Sequence, residues 1–331
     1  MNTLKSFQLL YHSIVSTKNF LYDYGFLKPI SLNVPVISIG NLSVGGTGKT
    51  PCVAMIANEL SHSKKVIIIA KSYKASLKVP QRVDLSDPFA WKRFGDEACL
   101  LQRLLPHCIV WAGPSKSKTA MAAVVDKPDV ILVDDGFSHR RLKRDLDIVL
   151  IDATRELEHM QVLPSGRLRE DMSNLRRAQI VLLTKTNLTS SEQVERMSQF
   201  LVKEVPTLKE NLFYATSENI LNLPLTNKIL VFCGLGSPKS FLMALKKMEF
   251  EVIDSLEFQD HHNYSLTDQK KILESYQNLK KLHQDIAIVT TPKDALKISL
   301  PELKSLIQVT ENKMKLAVQK EKFFEKIGKI F

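Results

Sequence analysis

The sequence is poor in the residues that staple small folds. Its 331 residues hold four cysteines, Cys52, Cys99, Cys108 and Cys233, and no two stand in a Cys-x-x-Cys spacing. Neither a disulfide framework nor a structural zinc site is expected, and a reducing compartment suits the pattern. Long apolar runs are missing too: none approaches the ~18 residues of a membrane-crossing helix. The first 25 residues are interrupted by Tyr11, His12, Lys18, Asn19 and Asp23 and lack a small-residue cleavage site, so no secretory signal is expected. There is no internal repeat and no low-complexity stretch. Acidic residues are outnumbered, 35 against 46 Lys and Arg, which leaves a formal net charge of +11. That balance suits a polyanionic partner, whether phosphorylated substrate, anionic membrane surface or nucleic acid. No RNA-binding or zinc-finger signature supports the last, and no nucleic-acid partner is expected. With 44% hydrophobic and 24% charged residues, the chain has the composition of a folded globular protein.

What the chain has instead is an alternation of short apolar runs and amphipathic stretches. Val34–Ile39, Val66–Ala70, Ile109–Ala112, Val130–Val133, Ile148–Ile151 and Ile180–Leu183 are apolar at consecutive positions. Strands buried on both faces of a parallel sheet require that pattern. Between them, Val53, Ile56, Ala57 and Leu60 recur at helical spacing after Thr50. This predicts a doubly wound, mostly parallel α/β domain over residues 31–220. The polar stretch Thr216–Asn227, with Pro224, reads as a linker. A second βα series follows: strands at Ile229–Cys233, Val252–Phe258 and Ile286–Thr290, helices at Pro238–Lys247 and Leu266–Leu282. A second, smaller α/β lobe is therefore expected over 228–331, with a cleft between the two. Both chain ends look amphipathic. Leu4, Phe7, Leu10, Tyr11, Ile14 and Val15 share one face of a helix within residues 1–30, with Lys5 and Lys18 on its polar side. Lys313–Phe331 mixes lysines with Phe323, Phe324, Ile327 and Phe331. Either end suits an anionic bilayer surface or packing on the core.

Glycine is scarce at 12 residues, yet four fall in Gly40-Asn41-Leu42-Ser43-Val44-Gly45-Gly46-Thr47-Gly48-Lys49-Thr50, between a strand and a helix. A loop that cradles phosphate must aim several backbone N–H groups inward, which glycine permits, and the following helix dipole favours negative charge. In this reading Ser43 to Thr50 hold a nucleotide triphosphate, Lys49 reaches its β- and γ-phosphates, and the Thr50 hydroxyl holds Mg²⁺. The strict P-loop pattern wants glycine where Ser43 stands, so the loop is a one-residue variant. Asp129-Val130-Ile131-Leu132-Val133-Asp134-Asp135-Gly136 is an apolar strand ending in two carboxylates at the sheet's carboxyl edge, where Mg²⁺-side acids of nucleotide enzymes sit. The basic run that follows, including His139, Arg140, Arg141 and Arg144, suits either a clamp on a substrate phosphate or a solvated face.

These residues, taken with Gly95-Asp96-Glu97, Asp134-Asp135-Gly136-Phe137-x-His139-Arg140-Arg141-Leu142, Leu163-Pro164-x-Gly166-x-Leu168-Arg169-Glu170, Thr184-Lys185, Phe232-Cys233-Gly234-Leu235-Gly236, Asp260-His261-His262 and Thr290-Thr291-x-Lys293-Asp294-Ala295, resemble the tetraacyldisaccharide 4'-kinase family of lipid A biosynthesis. The resemblance runs from about Val34 to Lys297. It implies a P-loop kinase of two α/β lobes, with an N-terminal helix on the cytoplasmic face of the bacterial inner membrane. Its activity would be transfer of the γ-phosphoryl of ATP to the 4'-hydroxyl of a lipid disaccharide 1-phosphate. It also implies Asp96 as base with His261 as its partner, Glu97 as a Mg²⁺ ligand beside Thr50, Asp134 and Asp135, and Arg169 and Glu170 as residues that orient substrate. Departures from the family pattern lie at Lys71-Ser72-Tyr73-Lys74, where glycines are usual, and at Lys116, Ser138 and Pro292. Two rivals follow from the loop alone: a switch ATPase that binds a protein partner, and a membrane adaptor with structural nucleotide.

Overall fold

The computed structural model describes residues 2–331 other than 73, 74, 158, 159, 222, 224, 225 and 237, with only the backbone described over 2–11. The chain opens with helix α1 (Asn2–Asp23). The first lobe then runs β1 (Val36–Asn41), α2 (Lys49–Leu60), β2 (Val66–Lys71), β3 (Gln81–Arg82), α3 (Ala90–Phe94), α4 (Asp96–Leu104), β4 (Ile109–Gly113), α5 (Lys116–Ala123), β5 (Val130–Asp134), β6 (Leu146–Asp152), β7 (Ile180–Thr184), α6 (Ser191–Glu204) and β8 (Leu212–Ile220). The second lobe follows as β9 (Lys228–Cys233), α7 (Pro238–Lys247), β10 (Glu251–Glu257), α8 (Leu266–Leu282), β11 (Ala287–Thr290), α9 (Pro292–Ala295), α10 (Pro301–Leu306) and β12 (Ile307–Val309). The last two elements are β13 (Glu311–Leu316) and α11 (Lys320–Gly328).

The larger sheet has the order β13-β8-β7-β6-β1-β5-β2-β4-β3, parallel except at its two edge pairs. The expected doubly wound sheet is present, and the apolar runs explain it. Ile37 and Ile39 of β1, Ile68 of β2 and Leu132 of β5 face one core with α2 and α4. Their neighbours Val36, Ile67, Ile69, Ile131 and Val133 face the opposite core. Strands sandwiched this way must be apolar at every position. The smaller sheet, β10-β9-β11-β12, is parallel throughout, with α8 packed on it through Ile272, Leu273 and Tyr276.

Two boundaries differ from the sequence expectation. Thr216–Ile220, the first part of the expected linker, is the end of β8. The second lobe also ends near Val309 rather than at residue 331. After Thr310 the chain returns, and β13 pairs antiparallel with β8 at the edge of the larger sheet. α11 then buries Phe323 and Ile327 in the first lobe's core, with Phe323 edge-to-face on Phe213 at 5.3 Å. Of the two readings open for the C-terminal face, packing on the core is the one realised. Alternating polar residues hid β13 because it is an edge strand with one exposed face.

α1 is tied to the first lobe at its C-terminal end. The buried Asn19 side chain donates to Glu170 Oε2 (3.0 Å), Lys18 donates to the Ser138 carbonyl (3.0 Å), and Arg140 pairs with Asp23 (2.7 Å). Leu4, Lys5, Phe7, Leu10 and Tyr11 of the expected amphipathic face lie outside the described side chains.

Candidate active site

β1 runs into the glycine-rich loop and α2 leaves it. Gly45 (φ 104°) and Gly48 (φ 88°) occupy left-handed backbone that side chains rarely adopt, which is why the loop needs glycine there. A Cβ on Gly46 would meet nothing within 4 Å, so this stretch faces open space. Ser43 shows no positive φ, and it makes an antiparallel bridge with Leu168. Val44 N–H donates to Arg167 O (2.8 Å) and Arg169 N–H to Leu42 O (2.6 Å). The loop's entry is thus zipped to the 162–169 segment, so a side chain fits where the strict pattern has glycine. Its far side is braced by Thr184, whose hydroxyl donates to Thr47 O (3.0 Å), and by Lys185, whose ammonium meets Gly46 O (2.7 Å) and Asp152 (2.6 Å). Inside, the buried Asn41 amide donates to Thr47 Oγ1 (2.9 Å), and Lys49 Nζ donates to Asn41 Oδ1 (3.3 Å).

The two acids ending β5 have opposite environments. Asp135 sits in left-handed backbone (φ 50°) and receives a two-pronged bond from Arg169, at 2.7 and 3.0 Å. Lys49 lies 3.7 Å away and Lys116 3.8 Å. Burial opposes its charge, but Arg169 and the two lysines outweigh burial and hold the carboxyl well below the usual range. Asp134 is buried, and its Oδ1 has no hydrogen-bond partner among the described residues. Burial, together with the nearby charges of Glu97 and Asp135, pushes Asp134 up to about 6.

α4 supplies the next pair. Gly95 (φ 93°) turns the chain so that Asp96 and Glu97 open the helix, where its dipole favours carboxylates. Each then meets the second lobe. His261 Nδ1 lies 2.8 Å from Asp96 Oδ2, and Lys297 Nζ lies 3.6 Å from the same oxygen. Lys293 Nζ lies 3.0 Å from Glu97 Oε1. Burial would raise the Asp96 pKa, but Lys293, His261 and Lys297 lower it on balance. An ionised carboxylate only accepts, so the imidazole donates to it. The adjacent His262 is occupied elsewhere, 3.0 Å from Asp268 at the start of α8.

The profile of the tetraacyldisaccharide-1-P 4'-kinase family matches residues 1–331. The tetraacyldisaccharide 4'-kinase of Bdellovibrio bacteriovorus is 40% identical over 308 residues, spanning 89% of this chain and 88% of that protein. The enzyme of that name from Halothermothrix orenii is 32% identical over 341 residues, 96% of this chain and 88% of the relative. The chain belongs to the tetraacyldisaccharide-1-P 4'-kinase family. A crystal structure of Aquifex aeolicus LpxK, solved in complex with ATP, superposes with a TM-score of 0.77 at 32% identity, covering 100% of this chain and 99% of that one. Members of this kinase family are phosphotransferases with an alcohol acceptor, acting in lipid A biosynthesis, and this chain is one of them.

Seen as a 4'-kinase, the chain brings Ser43 to Thr50, Asp96, Glu97, Asp134, Asp135, Arg169 and His261 to one end of the larger sheet. Arg140 and Glu170 are engaged elsewhere. Arg140 donates to Asn19 O (2.9 Å) and pairs with Asp23. Glu170 is buried between Arg177 (2.5 Å) and Asn19. Of the three expected substrate residues, these two fasten α1 to the core. Arg169, the third and the neighbour of Glu170 in its motif, holds Asp135 and the Asn41 carbonyl instead. Five contributors escaped the sequence reading. Asn41 and Lys185 stand inside quoted motifs without a role assigned. Lys293 is in the quoted Thr290–Ala295 motif, and Lys297 just beyond it. Lys116, noted only as a departure, donates to the Asp135 carbonyl from a buried position. Tyr73 and Lys74 of the other departure lie outside the described residues.

Proposed function

We propose that the chain transfers the γ-phosphoryl of ATP to the 4'-hydroxyl of a tetraacyldisaccharide 1-phosphate, forming lipid IVA, as a peripheral enzyme on the cytoplasmic face of the inner membrane. The observation that carries the reading is the Asp96–His261 pair, formed across the lobes beside the phosphate loop. A sugar hydroxyl is a weak nucleophile and needs a positioned acceptor for its proton. Asp96, ionised and oriented by His261, takes that proton as the hydroxyl oxygen bonds to the γ-phosphorus. Lys49 and the loop's backbone N–H groups hold the triphosphate and stabilise the charge that develops on it. Arg169 keeps Asp135 and Asn41 fixed behind Lys49, so the lysine's position is set before substrate arrives.

The residues also fit Mg²⁺. Among the described residues, no three His, Cys, Asp or Glu side chains form a metal cage by themselves. Mg²⁺ favours one or two carboxylates completed by water and phosphate oxygens. The partnerless Asp134 Oδ1 is a ready donor, with Thr50, Glu97 and Asp135 as the remaining candidates. When bound, the metal would supply charge neutralisation to the triphosphate.

No described helix is long and apolar enough to cross a membrane. Contact with an anionic bilayer is supported by Phe20 (49% exposed), Tyr24 (70%) and Phe26 (71%), grouped at the C-terminal end of α1, together with the basic charge of the chain. Incubation with radiolabelled ATP, Mg²⁺ and a disaccharide-1-phosphate lipid tests the proposal. A labelled lipid is expected from the wild type and not from Asp96→Ala; label transfer unaffected by that change would refute the assignment.

A further inference from the structure

The lobe interface carries a charge arrangement that the mechanism above leaves unused. Two acids at the start of α4 face two lysines from the second lobe: Lys297 against Asp96, and Lys293 against Glu97. The lysines differ. Lys297 is buried, 4% exposed, and fixed near the Asp96–His261 pair. The Lys293 side chain keeps 30% of its surface accessible, and Glu97 keeps 43%. Lys293 is carried by α9, a single turn held by the Thr291 cap and by the buried Asp294, which accepts from Gly234 N–H (3.1 Å). Its backbone is therefore rigid while its ammonium sits on a flexible stem. The ammonium is surrounded by acid.

Charge balance then asks what Lys293 faces when nucleotide is bound. Glu97 belongs to the acids that suit the nucleotide's cation, and a carboxylate that shares its charge with that cation holds an ammonium less strongly. Lys293 would then be partly released from its 3.0 Å partner, with its ammonium in the same cluster as Asp96. We propose that Lys293 is a catalytic residue of the second lobe that exchanges Glu97 for the γ-phosphoryl group of ATP. The inference rests on the kinase reading of the site. In the transfer step, the acceptor oxygen–phosphorus bond forms as the bond from phosphorus to the bridging oxygen of ADP breaks. The hydroxyl proton goes to Asp96. Lys293 forms and breaks no covalent bond; it donates hydrogen bonds to the equatorial oxygens, where charge spreads as the phosphoryl group moves. This gives the second lobe a direct part in chemistry: it supplies a cation as well as the His261 imidazole.

The test compares Lys293→Ala and Lys293→Arg with the wild-type full chain. For Lys293→Ala the proposal expects kcat to fall about 10²-fold, with KM for ATP changed by less than about threefold, and Lys293→Arg to recover part of the loss. Binding provides a readout independent of turnover. ADP affinity should be unchanged, while affinity for ADP with beryllium fluoride, a mimic of the γ-phosphoryl group, should drop about tenfold, a change of about 1.4 kcal/mol. In nucleotide-free protein, Mn²⁺ followed by electron paramagnetic resonance should bind Lys293→Ala more tightly, because Glu97 is uncovered. An alanine variant that binds ADP–beryllium fluoride as the wild type does would overturn the proposal, as would kcat within threefold of wild type. Thermal melting identifies a variant that fails to fold, in which case Lys293→Arg and Lys293→Met carry the same binding comparison. A wild type that labels no lipid would sink the kinase reading instead, with the beryllium fluoride comparison still reporting on Lys293.

Discussion

His261 Nδ1 and Asp96 Oδ2 stand 2.8 Å apart although 165 positions separate them in the chain. The carboxylate opens a helix of the first lobe, and the imidazole sits in a loop of the second. Nothing but the packing of one lobe on the other makes them a pair. If they act as a unit, their losses do not add. Asp96→Ala should lower kcat about 10²–10⁴-fold, the range for a positioned base. His261→Ala should cost less, and the double variant should lose little more than Asp96→Ala alone. Single-turnover rates at saturating ATP and lipid measure all three; losses that multiply would mean two independent roles.

The phosphate loop leans on the strand that returns from the second lobe. A Cβ at Gly48 would come within 2.8 Å of Met314 Cε on β13, at a backbone φ of 88°. Gly48→Ala should therefore weaken ATP binding by at least about tenfold, combining a clash with about 1–2 kcal/mol of left-handed strain. Met314 is flexible, so Gly48→Ala with Met314→Ala should recover the clash part but not the strain. Nucleotide titration of both variants separates the two contributions.

Glu170 is 4% exposed and lies between Arg177 and Asn19. Removing one partner of a buried charge pair leaves the other uncompensated, which typically costs about 3–5 kcal/mol. Glu170→Ala should lower the unfolding midpoint and make α1 more sensitive to proteolysis. If Glu170 oriented substrate instead, KM for the lipid would rise with no loss of stability; denaturant titration beside steady-state kinetics tells the two apart.

His139 Nε2 is buried without a hydrogen-bond partner among the described residues. Burial, reinforced by the charges of Lys116 and Lys18, pushes its pKa down to about 4. The unfolded chain protonates near the ordinary value of about 6.5, so it gains protons between there and pH ~4 that the folded chain refuses. The contribution is complete above pH ~6.5 and is eroded as the pH falls through that window. His139→Gln should show a shallower decline of urea midpoint between pH 7 and 5. An identical slope would mean that the imidazole is protonated in the folded state.

Phe20, Tyr24 and Phe26 present a connected aromatic surface. Replacing all three with serine should reduce cosedimentation with anionic vesicles severalfold, while leaving the melting temperature close to wild type because these rings are exposed. Unchanged vesicle binding would move the membrane contact elsewhere.

Local physics made much of this protein legible in advance. Continuous apolar runs such as Val66–Ala70 can only be strands covered on both faces, so the parallel sheet followed from them. Glycines crowded before Lys49 announced a phosphate loop, because left-handed backbone has few other tenants. The paired acids after Val133 fell at the strand end the periodicity predicted. What one-dimensional pattern cannot encode is which distant segments share a surface. β13 alternates polar and apolar like any solvated edge, and only its pairing with β8 shows that the chain crosses back to the first lobe. Arg140 lies in a basic run that suits a phosphate clamp, and Glu170 in a motif whose resemblance implies a part in orienting substrate. Their partners on α1 lie 121 and 151 positions away, so only the folded chain reveals them as a structural anchor. Lys293 and Lys297 look like two surface lysines of a basic protein until the lobes meet and set them against Glu97 and Asp96. Residue type and spacing determined the sheet, the loop and the acids, because strand periodicity and backbone sterics act over a few residues. The tertiary structure decided which charges face one another across the cleft, because Coulomb and hydrogen-bond energies depend on distance in space and not along the chain.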